Sequence, residues 1–135
     1  MSMTDPVADF LTRLRNAAQA QHEGFTSPAS GPKREIARIL KEQGYIEDYA
    51  VHPAREGRPG EEITVRLKYT AERKPVITGM ERVSRPGRRT YVDHTHIPRI
   101  QGGMGTAIIS TSKGLMTGHD ARMEGIGGEV VARVW

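Results

Sequence analysis

Three consecutive hydroxyl residues, Ser110, Thr111 and Ser112, end a short apolar run and are followed directly by Lys113 and Gly114. A strand that stops at such a cluster presents several small donors and acceptors from one rigid edge. These residue types suit two kinds of chemistry. One is covalent catalysis at a serine, and the other is close docking against a polar polymer such as RNA.

The catalytic alternative depends on Ser110 and Lys113, which formally match the Ser-x-x-Lys signature of serine acyl-enzymes. In that mechanism the two residues lie one turn apart on a helix, so that the amine reaches the hydroxyl. Here Ile108 and Ile109 predict a strand before Ser110, and Gly114 would interrupt a helix. The companion Ser-Asp-Asn and Lys-Thr-Gly motifs are absent from the sequence. Serine catalysis is therefore the weaker alternative.

The histidines raise a second chemistry, a metal site. His94 and His96 would point two imidazoles to one side of a strand, with His119 and Asp120 further along the chain. No third ligand is fixed by spacing, which favours exposed or RNA-facing histidines instead. The sequence also lacks Gly-x-x-x-x-Gly-Lys-Ser/Thr and Gly-x-Gly-x-x-Gly loops, so it predicts neither nucleotide binding nor any cofactor.

Four arginines surround a Pro-Gly turn next to Tyr91, namely Arg82, Arg85, Arg88 and Arg89. Arginine forks pair with phosphates, and a tyrosine stacks on a base or donates to a ribose. The alternative is an ordinary solvated turn. The hydroxyl cluster in the same half of the chain favours RNA, because serine and threonine hydroxyls match the 2′-hydroxyls that line the minor groove of A-form RNA.

Composition supports a polyanionic partner. The chain has 135 residues, a net charge of +4 and an aromatic content of only 5%. Residues 1–70 are neutral, with 10 basic and 10 acidic residues, whereas residues 71–135 carry 10 basic and 6 acidic ones. There is no cysteine, which is compatible with a reducing cytoplasm. The sequence contains no run of about 18 apolar residues, so no membrane span is predicted. The N-terminus does not resemble a signal peptide.

The sequence predicts an α+β fold of two small lobes. Residues 1–70 form an α-β-α-β-β lobe, and 71–75 are a junction. Residues 76–135 form a β-rich RNA-binding lobe, mostly antiparallel, with a short helix. In the first lobe the predicted elements are a helix that begins at Asp5-Pro6, an extended piece from Gly24 to Pro28, a helix capped by Ser30 with Lys33 near its outer face, and strands over Tyr45 to Val51 and Ile63 to Tyr69.

The second lobe is predicted from shorter and weaker patterns. A turn-rich stretch around the four arginines separates two strands, and glycines precede a buried strand. The predicted elements are strands over Val76 to Val83 and Arg89 to Val92, a helical turn within His94 to Ile100, a strand over Thr106 to Ser110, a helix from Thr117 to Glu124, and a strand over Glu129 to Trp135.

These segments resemble the small-subunit (bacterial-type) ribosomal protein S-eight family along essentially the whole chain. The C-terminal hallmark of the family is similar to Ile108-Ile-Ser-Thr-Ser-Lys-Gly-Leu-Met-Thr117, followed by Gly127-Gly-Glu129. Three further segments are similar to family motifs, namely Met3-Thr-Asp-Pro-Val-Ala-Asp-Phe-Leu-Thr-Arg-Leu-Arg-Asn16, Leu40-Lys-Glu-Gln-Gly-Tyr-Ile46 and Arg82-Val-Ser-Arg-Pro-Gly-Arg-Arg-Thr-Tyr91.

The resemblance implies a non-enzymatic protein that binds the central-domain helix of 16S rRNA, at an irregular internal loop, early in small-subunit assembly. It assigns RNA contacts in the second lobe to Ser110, Thr111, Ser112, Lys113, Gly114, Tyr91, Arg85, Arg88, Gly128 and Glu129. It assigns backbone contacts in the first lobe to Thr4, Arg13, Arg15, Ser30 and Lys33. Where the family commonly has a basic residue after the serine of the second helix, this chain has Gly31-Pro32.

The resemblance also implies partners beyond the rRNA helix. Neighbouring proteins of the S-five type are expected, with the S-twelve type as a further candidate. Some members of the family repress translation of their own operon mRNA through a mimic of the rRNA site, so that mRNA is a candidate partner too. The expected location is the ribosome in the cytoplasm, without a membrane partner.

Overall fold

The computed structural model describes residues 5–135 as three helices and eight strands of mixed α+β architecture, which confirms the predicted fold class. The helices are α1 (Pro6–Gln19), α2 (Gly31–Glu42) and α3 (Gly118–Glu124). The strands are β1 (Gly24–Pro28), β2 (Ile46–Pro53), β3 (Glu61–Leu67), β4 (Met80–Arg82), β5 (Tyr91–Val92), β6 (Thr106–Thr111), β7 (Gly114–Thr117) and β8 (Gly128–Val134). Among these residues, no helix is both long and apolar enough to cross a membrane.

Contacts divide the chain into two units. One unit is Thr12–Ile77, called here the first unit, and the other joins residues 5–11 to Thr78–Trp135 and is called the second unit. Helix α1 therefore contributes residues to both. The lobe boundaries predicted at 1–70, 71–75 and 76–135 stay a prediction about independent folding, which fragment experiments would test.

The first unit contains an antiparallel sheet in the order β1-β3-β2. Strand β3 alternates as the sequence predicts, because Ile63, Val65 and Leu67 are buried while Arg66 is exposed. The buried stripe of α2 includes Ile36 and Leu40, both fully inaccessible to solvent. One face of the sheet and one face of the helix thus supply an aliphatic core.

All three helices begin at side-chain caps. The carboxylate of Asp5 accepts from the Ala8 amide at 3.1 Å, and the Ser30 hydroxyl accepts from the Lys33 amide at 3.3 Å. The Thr117 hydroxyl accepts from the Asp120 amide at 3.1 Å. Each cap satisfies a backbone N–H that has no partner inside its own helix. The predicted starting points of the three helices are therefore confirmed.

The second unit contains a sheet in the order β4-β8-β6-β7, with β5 paired to β8 beside β4. Strand β8 therefore lies in the centre, and a bulge opposite Ile108 and Ile109 shifts its register against β6. On the face of the sheet opposite Ile108 and Ala132, which are themselves fully buried, this unit has an aliphatic cluster. Its buried members are Ile97, Ile100, Ala107, Ile109, Ala121 and Val130.

Three predicted elements of the second lobe differ in extent or kind, and one of them is the strand predicted over Arg89 to Val92, which is only Tyr91–Val92. The strand predicted over Val76 to Val83 shortens to β4, because the Thr78 and Gly79 amides both donate to the Trp135 carbonyl instead of joining a regular ladder. The helical turn predicted within His94 to Ile100 is reduced to one hydrogen-bonded turn, in which the His96 amide donates to the Asp93 carbonyl at 3.1 Å. The Thr95 amide donates to the Asp93 carboxylate at 2.8 Å, and a short 3₁₀ turn follows at Gln101–Gly103.

Strand β7 was not predicted. It pairs with β6 from Ile108↔Thr117 to Thr111↔Gly114, so that only Ser112 and Lys113 connect the two strands. Gly114 has a φ of 104°, a conformation that a residue with a side chain rarely adopts. The hydroxyl cluster consequently lies at the tip of a tight hairpin and not at a free strand end.

Candidate nucleic-acid interface

The sheet of the second unit brings three predicted site residues into one line. Tyr91 on β5 pairs with Glu129 on β8, and Glu129 pairs with Ser110 on β6. Register partners of an antiparallel sheet project their side chains to the same face. We call Tyr91, Glu129 and Ser110 the cross-strand row. Since Ile109 and Val130 are their chain neighbours and belong to the core, the row faces away from that core.

Solvent exposure differs along the row. Tyr91 is 68% exposed, so a large aromatic side chain lies open to solvent. The Glu129 side chain is only 14% exposed. Within residues 5–135, neither the Tyr91 hydroxyl nor the Ser110 hydroxyl has a side-chain hydrogen-bond partner. The row therefore offers an uncovered ring and an uncommitted hydroxyl on either side of a carboxylate.

Two glycines allow the strands to approach each other at the row. A Cβ on Gly128 would lie 2.2 Å from the Ser110 carbonyl oxygen, and one on Gly127 would lie 2.4 Å from the Val92 carbonyl oxygen. Both distances are far shorter than a van der Waals contact. The absence of side chains at Gly127 and Gly128 thus allows β5, β8 and β6 to lie close together. Gly128 is placed here as a structural residue, beside its predicted role in the interface.

The hairpin tip has one hydroxyl that is used internally and one that is not. The Thr111 hydroxyl donates to the Gly114 carbonyl at 2.8 Å and accepts from the Lys113 amide at 3.0 Å, so it closes the turn. The Ser112 hydroxyl makes no hydrogen bond in the part of the chain that the structure describes, and its residue is exposed. Lys113 is exposed as well, with its amine 3.8 Å from the Glu124 carboxylate.

This geometry does not suit serine catalysis. Ser110 lies on β6, and Lys113 lies in the hairpin turn, so the two residues do not share a helical turn. The amine of Lys113 contacts Glu124, and a general base has to be within hydrogen-bond reach of its serine. The Ser-x-x-Lys match is therefore a coincidence of sequence at a hairpin tip.

The four arginines divide into two pairs. Arg85 and Arg88 exchange backbone hydrogen bonds of 3.0 and 2.9 Å across the Pro-Gly turn, and both side chains are exposed. Among the described residues, neither guanidinium has a carboxylate partner. Arg82, in contrast, is largely buried and pairs with Asp5 at 3.1 Å. Two of the four cations are thus available for an anion, and Arg82 is structural.

Arg89, the fourth arginine, contacts the cross-strand row. Its Nη1 lies 3.0 Å from Oε2 and 3.4 Å from Oε1 of Glu129. The hydrogen bond to that carboxylate is the main reason why the pKa of Arg89 is raised. This pair was not predicted, because 40 residues separate its members. Local spacing carries no signal for a contact that only the pairing of β5 with β8 creates.

The histidines do not converge. The imidazole of His96 contacts the Asp93 carboxylate at 2.8 Å, and hydrogen bonds from Thr95 and then from His96 hold the pKa of Asp93 well below its usual range. His94, His119 and Asp120 are exposed. Across residues 5–135, no group of three or more metal-ligating side chains is arranged to hold an ion.

The predicted contacts of the first unit are less uniform. Arg13 and Arg15 are exposed on α1, and Nη1 of Arg13 donates to the Thr26 carbonyl at 3.1 Å. The Ser30 hydroxyl is the cap of α2. Thr4 lies outside the described residues.

Lys33 does not occupy the outer face predicted for it. Its residue is 4% exposed, and its amine donates to the Ser27 hydroxyl at 3.0 Å and to the Pro28 carbonyl at 2.8 Å. The outward position was wrong because Lys33 precedes Ile36 and Leu40 by three and seven residues, which places it on the buried stripe of α2. Lys33 thus ties the start of α2 to the end of β1.

We expect Lys33→Ala to lower the free energy of unfolding by about 1–3 kcal/mol, because it leaves the buried Ser27 hydroxyl and the Pro28 carbonyl without this donor. Urea denaturation measures the change. The salt dependence of RNA binding should stay as in the wild type, since a buried amine releases no counterion. A reduced salt dependence with unchanged stability would instead identify Lys33 as a phosphate contact.

Comparisons with known proteins give one consistent result. The family model described as "Ribosomal protein S8" matches residues 5–135. Three relatives called "Small ribosomal subunit protein uS8" align over 100% of both chains. They are from Syntrophomonas wolfei at 53% identity, a Nocardioides species at 51% and Corynebacterium urealyticum at 50%. A family match over nearly the whole chain, together with full-length relatives at about half identity, shows that this chain belongs to the ribosomal protein S8 family.

Proposed function

We propose that the chain is a primary rRNA-binding protein that recognises the central-domain helix of 16S rRNA and supports assembly of the small-subunit platform. The observation that carries the proposal is the cross-strand row, which aligns an exposed ring, a carboxylate and a hydroxyl on one rigid sheet face. Its family membership makes the chain a structural component of the small ribosomal subunit and not an enzyme, with rRNA and other ribosomal proteins as its partners.

The proposed binding has an electrostatic part that is independent of sequence. Arg85 and Arg88 present two exposed guanidinium groups beside the row, and Lys113 adds an amine at the hairpin tip. Each cation that neutralises a phosphate releases counterions, which makes the affinity depend on salt concentration. This part holds any duplex and orients the protein on it.

The second part is recognition of the irregular internal loop. The exposed Tyr91 ring offers a stacking surface for an unpaired base, a contact worth about 1–3 kcal/mol. Ser110 and Ser112 offer hydroxyls for ribose and backbone oxygens, and Glu129 offers an acceptor. The turn built by Thr111 and Gly114 presents the two serines from a fixed hairpin, and β8 places Glu129 beside Ser110. A regular duplex has no unpaired base to stack, so this part distinguishes the cognate helix.

The first unit adds a separate group of backbone contacts. We assign them to Arg13 and Arg15, which are exposed on α1, and to the start of α2 at Ser30. The assignment of Thr4 rests on the family resemblance alone. Lys33 is left out of the proposed interface because its amine is used inside the unit.

The finer partners follow from the same surface. A protein that reads the shape of an irregular helix also binds any RNA that reproduces this shape, so we include the chain's own operon mRNA as a target for translational repression. We also propose neighbours of the S-five type, and of the S-twelve type, in the assembled subunit. Their contact residues are not assigned.

The proposal is tested by a shift assay with three RNAs, which are the cognate central-domain helix, the same helix with a mutated internal loop, and a plain duplex. The wild type should prefer the cognate helix, and Ser112→Ala should weaken that complex by about 2- to 10-fold, the effect of one interfacial hydrogen bond. Its binding to the plain duplex should not change. Equal wild-type affinity for all three RNAs would instead identify a non-specific duplex binder, and the proposal would be wrong.

A further inference from the structure

The Arg89–Glu129 pair has an unusual position for a surface ion pair. Glu129 is the middle member of the cross-strand row, between Tyr91 and Ser110, and its side chain is 14% exposed. Arg89 is 50% exposed and covers that carboxylate through one nitrogen, which bridges both oxygens at 3.0 and 3.4 Å. The carboxylate is therefore held from the outer side by a cation that still faces solvent.

A carboxylate on a surface that binds RNA presents an electrostatic problem. Phosphates repel it, and the repulsion grows as water leaves the interface and the effective dielectric constant falls. An adjacent guanidinium cancels most of this field at the distance of the phosphates. It also limits the motion of the carboxylate, whose two oxygens lie 3.0 and 3.4 Å from the same Nη1.

We propose that Arg89 is a positioning residue, which acts through Glu129 and does not bind a phosphate, and that the pair as a unit accepts a hydrogen bond from RNA. The donor would be a nucleobase amino group or a ribose 2′-hydroxyl, the N–H and O–H groups that RNA offers at an open loop. This inference rests on the proposed function, since it assumes that the cross-strand row faces RNA.

The arrangement predicts a different role for each exposed arginine of the turn. Arg88 has no carboxylate partner among the described residues, so its charge adds to the net charge of the interface. The charge of Arg89 is cancelled by Glu129, so the pair is neutral as a whole. Counterion release counts the phosphates that cations neutralise, and a cation already paired with a carboxylate neutralises none, so removing both members together should leave the salt dependence unchanged.

The test is a double-mutant cycle on the full chain with Arg89→Gln, Glu129→Gln and the double variant. The readouts are affinity for the cognate helix and the slope of log affinity against log salt. We expect Arg89→Gln to weaken cognate binding about 10-fold in the wild-type background but by less than 2-fold when Glu129→Gln is already present. The double variant should retain the wild-type slope. Arg88→Gln is the matched control, and it should reduce the slope in either background.

The proposal is overturned if Arg89→Gln costs the same affinity in both backgrounds, or if the double variant loses slope as Arg88→Gln does. Either result would make Arg89 a phosphate contact. Arg89→Lys should restore part of the lost affinity, which a purely structural role would not predict. A wild-type protein that does not discriminate between the cognate and mutated loops would contradict the proposed function itself, and the cycle would then be read on slopes alone.

Discussion

Gly128→Ala should reduce affinity for the cognate helix by about 100-fold and lower the free energy of unfolding by about 1–3 kcal/mol. The added methyl group would lie 2.2 Å from the Ser110 carbonyl oxygen and 3.0 Å from its carbonyl carbon, so β6 and β8 have to separate. Separation moves Ser110 away from Glu129. The loss in affinity follows because stacking on Tyr91, about 1–3 kcal/mol, and hydrogen bonds at the row, about 0.5–1.5 kcal/mol each, depend on that alignment.

The matched control for this prediction is Gly31→Ala. A Cβ at Gly31 meets nothing within 4 Å apart from the adjoining residues, and Gly31 lies in the first turn of α2 directly before Pro32. Because a residue with a Cβ is restricted before proline, the control should lower stability slightly, but by less than Gly128→Ala does. Thermal melts and shift assays on both variants check the comparison. If Gly128→Ala bound the cognate helix as well as Gly31→Ala does, the alignment of the row would not matter for recognition.

The second large effect is expected from the double substitution Arg85→Ala with Arg88→Ala. Each phosphate contact contributes about 0.9 to the slope of log affinity against log salt, so two contacts contribute about 1.8. If the double variant and the wild type bind equally at 1 M salt, the missing slope makes the variant bind about 30-fold more weakly at 0.15 M. The loss should be the same for the cognate helix and for a plain duplex, because phosphates carry no sequence information.

A variant with Arg58→Ala and Arg99→Ala removes the same charge from two other exposed positions and is the control. It should change the slope by much less, since neither residue is assigned a phosphate contact in the proposed interface. Titrations at four salt concentrations measure both slopes. Identical slopes for the two double variants would show that only the net charge of the protein matters, and not the arginine turn.

Local signals predicted much of the fold. Asp5, Ser30 and Thr117 were identified as helix caps because each is a short polar residue directly before a helical pattern, and a cap acts within three residues. The alternating pattern of β3 was likewise readable, since one face is buried and the other is wet. Such features are determined by residues that are close together in the sequence, so they can be predicted from the sequence.

The remaining features depend on distant parts of the chain. Strand β7 has only four residues and exists because β6 offers it an edge, so its own composition carried little signal. The division of the arginines was also hidden. Only the folded sheet shows that Arg82 meets Asp5 and that Arg89 meets Glu129. Lys33 is different, because its spacing from Ile36 and Leu40 already indicates the buried stripe of α2. The outward position was predicted from its charge alone.

The central position of β8 has a consequence for the order in which the protein matures during synthesis. Strands β4, β5 and β6 all pair with β8, yet β8 leaves the ribosome after every one of them. In a nascent chain that ends before Gly128, β4 and β5 therefore lack the strand β8 with which they pair. Tyr91 then has no partner residue across the sheet. The proposed RNA-reading face can therefore form only after translation has passed β8.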